Sequence, residues 1–101
     1  MKTPFNLYDE LKNNGFNTET KDEFGGTILT RDFEKEVEVV WYGKQTSRYK
    51  VQVRFSADMR TVQASYYKGG FGAPDKTKTH LNDRRALNAI RQTIENAGFA
   101  I

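Results

Sequence analysis

Glu36 to Phe55 reads EVEVVWYGKQTSRYKVQVRF, and the alternation inside it decides the fold. Val37, Val39 and Trp41 fall at every second position, and Tyr49, Val51, Val53 and Phe55 alternate with Arg48, Lys50, Gln52 and Arg54. Period two over this length predicts two strands. Pairing Trp41 with Tyr49 sets Val39 on Val51 and Val37 on Val53, gathers the apolar residues of both strands on one face, and leaves a short loop at Lys44, Gln45 and Thr46. A slip of one residue would set Val39 against Lys50 and carry charge inward. In this register the other face carries Glu36 across from Arg54, Glu38 across from Gln52, Val40 across from Lys50 and Tyr42 across from Arg48.

Working outward, Ser56 to Arg60 turns the chain, and Thr61 to Tyr67 alternates again. A turn centred on Asp58 and Met59 pairs Phe55 with Val62, Val53 with Ala64 and Val51 with Tyr66, which extends the same apolar face. On the other side, Thr27 to Phe33 has the β-branched content of a strand. A turn at Glu34 and Lys35 would put Arg31 opposite Glu38. Residues 17 to 26 are polar, end in Gly25 and Gly26, and read as a frayed edge strand or a loop. Lys68 to His80, KGGFGAPDKTKTH, reads as a long irregular loop because of its glycines and proline.

Both chain ends predict helices. Thr3 as N-cap and Pro4 at the first helical position open one with Phe5, Leu7, Tyr8 and Leu11 on its apolar stripe. Asn82 or Asp83 caps the other, whose stripe is Leu87, Ile90, Ile94 and Ala97, leaving Arg84, Arg85, Asn88, Arg91, Gln92 and Glu95 outside. LKNNGF and IENAGF read as two similar helix stops, with Gly15 and Gly98 in the left-handed position and Phe16 and Phe99 folding back. The expected architecture is one α+β domain over residues 1 to 101. It comprises an N-terminal helix, an antiparallel meander of three to four strands and a C-terminal helix, both helices on one sheet face and the other face open.

The chain has 101 residues, no cysteine and a net charge of +3 that hides a gradient. Residues 1 to 38 hold nine acids against five bases, and residues 39 to 101 hold four acids against eleven bases. The second half is the basic half. No cysteine chemistry is available, and His80 is the lone histidine, so a histidine-based triad would rest on it entirely. No acid pair or ligand spacing marks a catalytic or metal site, and His80 reads as a solvent-facing loop residue. A non-enzymatic protein without cofactor or metal is expected. No apolar run has the length of a signal peptide or a membrane span, which makes a cytoplasmic location the expectation.

Two surfaces carry the functional reading. One is the open sheet face, where Arg48, Lys50 and Arg54 are interleaved with Tyr42, Gln52, Gln63, Ser65 and Tyr67, charge for phosphates beside rings for stacking. The other is the glycine and lysine stretch with the helix start behind it, where Lys68, Lys76, Lys78, His80, Arg84 and Arg85 surround backbone suited to a phosphate, with Phe71 in the glycine loop. Its backbone fits neither a P-loop nor a dinucleotide fingerprint. Arginines in a first helical turn oppose the helix dipole, which favours an anionic partner there.

The order helix, strands, helix resembles the double-stranded RNA-binding domain. The chain departs from that family in lacking a lysine cluster at the opening of its last helix and in needing more strands, so no family is assigned. The leading expectation is a module that holds nucleic acid or a nucleoprotein through the basic half, mostly by phosphate contacts. The alternative is a protein-binding inhibitor or adaptor, of the kind that phages and mobile elements encode against host defence machinery, with Tyr42, Tyr67 and Phe71 as anchors. Pairing of Thr27 to Phe33 or Thr61 to Tyr67 with a second copy is a further expectation, as an edge-strand dimer.

Overall fold

The structure, a computed structural model, describes residues 5–69 and 72–100. The expected helix start at Thr3 and Pro4, the glycine-loop Phe71 and the terminal Ile101 lie outside them. The elements in chain order are α1 (Leu7–Asn13), β1 (Thr18–Lys21), β2 (Thr27–Val39), β3 (Gly43–Phe55), β4 (Thr61–Lys68), β5 (Lys76–Leu81) and α2 (Arg84–Asn96). The five strands form one antiparallel sheet in the order β1-β2-β3-β4-β5. Two more strands are present than the minimal three-stranded meander requires, and both are edges.

The register of β3 on β4 is the expected one, with Phe55 opposite Val62, Val53 opposite Ala64 and Val51 opposite Tyr66. Its turn is held by Asp58, whose carboxylate accepts from the Ser56 hydroxyl at 2.6 Å and the Arg60 amide at 3.0 Å, while Met59 takes φ +61.

The register of β2 on β3 differs from expectation. The turn at Glu34 and Lys35 does not form, β2 runs on to Val39, and Tyr49 faces Phe33 instead of Trp41. Val39 pairs with Gly43, and Arg31 faces Val51 instead of Glu38. The displacement from Trp41 to Phe33 is an even number of residues, so it changes partners without exchanging faces. Turn chemistry selects it. Glu34 and Lys35 include no residue suited to positive φ, whereas Gly43 adopts φ +72, closing a loop in which the Tyr42 amide donates to the Val39 carbonyl at 3.1 Å. Charge pairing follows: Lys50 faces Asp32, Arg48 faces Glu34 and Lys44 faces Glu38, in place of the expected Glu36 with Arg54.

Alternate side chains of the inner strands (Leu29, Phe33, Tyr49, Val51, Val53, Phe55, Val62, Ala64 and Tyr66) join Leu7 and Leu11 of α1, Phe16, and Ala86, Leu87, Ile90 and Ile94 of α2 in one buried cluster. Ala97, expected on the α2 stripe, is exposed, and Ala86 takes its place inside. Asn6 caps α1 by accepting from the Asp9 amide at 3.2 Å, and the Asp83 carboxylate caps α2 by accepting from the Arg85 amide at 2.9 Å. Both helices end as the paired sequences imply. Gly15 (φ +90) and Gly98 (φ +92) are left-handed, the Phe16 amide donates to the Leu11 carbonyl and the Phe99 amide to the Ile94 carbonyl. Phe99 then packs between Phe33 and Tyr49, with ring centroids at 5.5 and 5.4 Å.

The edges are polar. TETK in β1 and KTKTH in β5 alternate without an apolar face, which is why the sequence reads 76–80 as loop although it is strand. Polar side chains on both rims discourage strand addition. Of the expected free edges, residues 27–30 are covered by β1 and 61–66 by β5.

Candidate docking arm and cationic cleft

Below the Phe33–Tyr49 pair the sheet narrows to β2 and β3 alone, because the β3–β4 ladder ends at Tyr49 opposite Lys68. Six residue pairs, from Glu34 with Arg48 to Val39 with Gly43, continue as a two-stranded arm. At the usual strand rise this arm is about 20 Å long. It contributes to a long molecular axis of 52 Å against a shortest one of 20 Å.

The arm ends in Val40, Trp41 and Tyr42, which are 90%, 87% and 76% exposed. The expectation that Trp41 joins the core is thus corrected: it sits in the loop, and Val37 and Val39 are half-buried on the stem. Phe24, Met59 and Leu81 are also exposed, on two turns and a strand end at the opposite end of the sheet, and are not consecutive in sequence. Scattered exposed apolar residues are ordinary, whereas a contiguous group on a projection needs a reason. The stem carries opposite charges across its strands, with Arg48 Nε 3.5 Å from Glu34.

The open sheet face holds Arg48, Lys50 and Arg54 as expected, all on β3. The corrected register places four acids of β2 (Asp32, Glu34, Glu36 and Glu38) on the same face as four bases of β3 (Lys44, Arg48, Lys50 and Arg54). These charges balance. Arg54 lies 3.9 Å from Asp22, and Lys50 Nζ lies 4.6 Å from the centroid of Tyr67, whose hydroxyl donates to Gln52 at 3.0 Å. The Tyr67 ring is thereby half-covered by its own neighbours.

Lys68, Lys76 and Lys78 belong to the other face. Lys68 faces Tyr49, Lys76 faces Tyr66 and Lys78 faces Ala64, all core positions. Ammonium groups resist being sealed under an apolar helix. The C-terminal half of α2 and the N-terminal half of β5 accordingly bound a cleft of about 620 Å³, lined by Tyr49, the three lysines, Asp75, Gln92, Asn96 and Phe99 among others. Burial, the Tyr66 hydroxyl and the Asp75 carboxylate push Tyr49 up to about 12, so it keeps its proton. Burial likewise pushes Tyr66 up, the Thr93 hydroxyl opposing it. Among the described residues the Tyr66 hydroxyl has no hydrogen-bond partner of normal geometry.

Arg84 and Arg85 stand in the first turn of α2, about 6 to 18 Å along the helix by its rise from the cleft residues Ala89 to Asn96. Arg84 lies 4.9 Å from the Phe5 ring centroid, and Arg85 is exposed. The expected site residues thus divide among three places, and Arg84 and Arg85, expected at the helix start behind the lysine loop, do not line the cleft with the lysines. His80 is half-buried in β5 opposite Val62, not solvent-facing, and its Nε2 is buried without a partner among the described residues. Among those residues no cluster of three or more histidine or acidic side chains is placed to hold a metal, and no helix is long and apolar enough to cross a membrane.

The arm tip is the feature that sequence reasoning missed, since the favoured register hid Trp41 in the core. Gly43 directly after WY was the available signal, because a glycine two residues past a tryptophan suits a loop better than the middle of a strand. No family model, curated protein or solved structure matches the chain.

Proposed function

We propose that the chain is a non-enzymatic protein-binding module that docks through the tip of its β2–β3 arm, the helices lying on the apolar sheet face and serving to anchor the arm's root. The observation that carries this reading is the exposure of Val40, Trp41 and Tyr42 together at the end of a projection. Tryptophan and tyrosine are the side chains most often found as interface anchors. Burying the two rings in a partner's pocket removes roughly 300 Å² from water. At about 25 cal/mol per Å² that is a gross gain of about 7 kcal/mol before the losses of association. The charged stem beneath would steer and orient the encounter.

Contact with nucleic acid is the second reading. Its support is the basic second half of the chain, above all Lys68, Lys76 and Lys78, since the open face offsets its own bases with β2 acids. The experiment is photocrosslinking from a benzoylphenylalanine placed at Tyr42, in lysate of the producing cell, with the Trp41→Ala variant in parallel and oligonucleotide titrations at low salt beside it. A discrete protein adduct, lost on Trp41→Ala in a chain with an unchanged circular dichroism spectrum, is expected. Adducts that persist in that variant, or binding confined to oligonucleotides, would overturn the arm as the docking element.

A further inference from the structure

We propose that the cleft between α2 and β5 is a binding site for the phosphate groups of a small ligand of nucleotide size. This site is separate from the arm tip and does not depend on it. Three observations converge. First, the strand positions facing Tyr49, Tyr66 and Ala64, where the sheet would ordinarily present apolar side chains to its helix, are Lys68, Lys76 and Lys78. Second, those lysines border a cavity of about 620 Å³, within the usual range for small-ligand pockets.

Third, the lining is unbalanced in charge. Asp75 is the acid among the lining residues, set against Lys68, Lys76 and Lys78, while the Arg48 side chain belongs to the open sheet face, where it has Glu34 at 3.5 Å. None of the three lysines has a carboxylate within ion-pair distance among the described residues. Three ammonium groups on adjacent strands repel one another and together favour an anion, and a multiply charged phosphate compensates all three in a single molecule. The remaining wall is mixed: Gln92 and Asn96 from α2 offer amides, and Tyr49 and Phe99 stack on each other at 5.4 Å as an aromatic end to the cleft. A planar ring joined to phosphate fits that division between polar and aromatic ends. The Thr93 hydroxyl borders the same space, close to the buried Tyr66 hydroxyl.

Phosphate joined to a base could come from a free nucleotide or from a single strand, and pyrophosphate isolates the phosphate contribution. The test is a titration of the ¹⁵N-labelled full chain at low salt with ADP, inorganic pyrophosphate and an oligothymidylate in separate arms. Saturable shifts are expected in 47–49, 75–78 and 92–99. Lys76→Gln with Lys78→Gln should weaken ADP and pyrophosphate at least tenfold, while Lys44→Gln on the arm leaves them unchanged. Phe99→Leu should weaken ADP more than pyrophosphate. Tighter oligothymidylate binding through the same residues would identify a strand as the source of the phosphate. Absence of saturable shifts with both ADP and pyrophosphate overturns the site. So does wild-type affinity in a folded Lys76→Gln, Lys78→Gln chain, or a shift pattern centred on Arg84 and Arg85.

Discussion

Replacing Trp41 by alanine separates the two registers of the central hairpin. In the observed register the side chain is 87% exposed, so its removal leaves folding stability within about 0.5 kcal/mol, the usual range for a surface substitution. Had Trp41 faced Tyr49 in the core, truncation would cost about 3–5 kcal/mol in lost transfer and cavity energy. For a domain of this size that difference amounts to a fall in Tm of roughly 12–40 °C. Urea denaturation followed by far-ultraviolet circular dichroism measures it directly, since the variant has no tryptophan of its own. The wild-type chain gives a second readout, because Trp41 is its single tryptophan. Native emission should sit near that of the urea-unfolded chain, and acrylamide should quench both to a similar extent. A loss above 2 kcal/mol on Trp41→Ala, together with blue-shifted and protected native emission, would refute the arm and return the residue to the core.

Other perturbations probe the turns and the ionisable groups. Gly15→Ala should cost about 1–2 kcal/mol by urea denaturation, since φ is +90 and the new Cβ would lie 3.1 Å from the Arg31 guanidinium. Met59→Gly should stabilise by about 0.5–1 kcal/mol, because φ +61 favours glycine there more than methionine, and an unchanged or lower Tm would count against that turn. The Asp58 carboxyl is held below its ordinary 3.8, first by the Ser56 hydroxyl and then by the Arg60 amide. Its contribution is therefore complete above pH 3.8 and fades as pH falls through the lower folded value, so Asp58→Asn should flatten the acid limb of a Tm–pH curve. Tyr49 runs the other way. Raised from 10.0 to about 12, it favours the folded state until pH passes 10 and destabilises that state progressively up to 12, and Tyr49→Phe should shrink the alkaline loss.

What could be read from the sequence depends on which physical signal set each feature. The β3–β4 register was legible because Phe55, Val53 and Val51 have one apolar set to meet, and Asp58 marks a turn of the right length. The two helix stops were legible because a left-handed glycine followed by phenylalanine leaves little choice of geometry. The β2–β3 register was not, because any even displacement keeps the same faces inside, and apolar pairing then competes with turn chemistry and cross-strand charge. In the sequence Val37 and Val39 favour apolar partners. In the fold, Gly43 and the pairs of Lys50 with Asp32 and Arg48 with Glu34 prevail, at the expense of exposing Trp41.

The same competition shaped the reading of the site. Lys76 and Lys78 stood out as cations, but hydropathy gives no strand signal for KTKTH, so their inward facing toward α2 could not be read. That facing matters because an isolated polar edge strand ordinarily turns its charges to water, whereas β5 pairs its lysines with Tyr66 and Ala64, which are buried. Exposed threonines at 77 and 79 occupy the open side instead. A one-residue slip of β5 would bring the threonines inward and the lysines outward, removing the cationic lining of the cleft while leaving an equally polar edge. The observed register keeps Thr61 opposite Leu81, and the Asn82 amide donates to the Arg60 carbonyl at 2.9 Å, with the Asn82 side chain donating to the Met59 carbonyl at 2.7 Å. The clasp on the β3–β4 turn thus fixes which face of β5 the lysines take. Asn82→Ala, by loosening it, should weaken ADP and pyrophosphate in the titration without touching a cleft residue, and unaltered binding in that variant would mean that the β4–β5 ladder holds the register without the clasp.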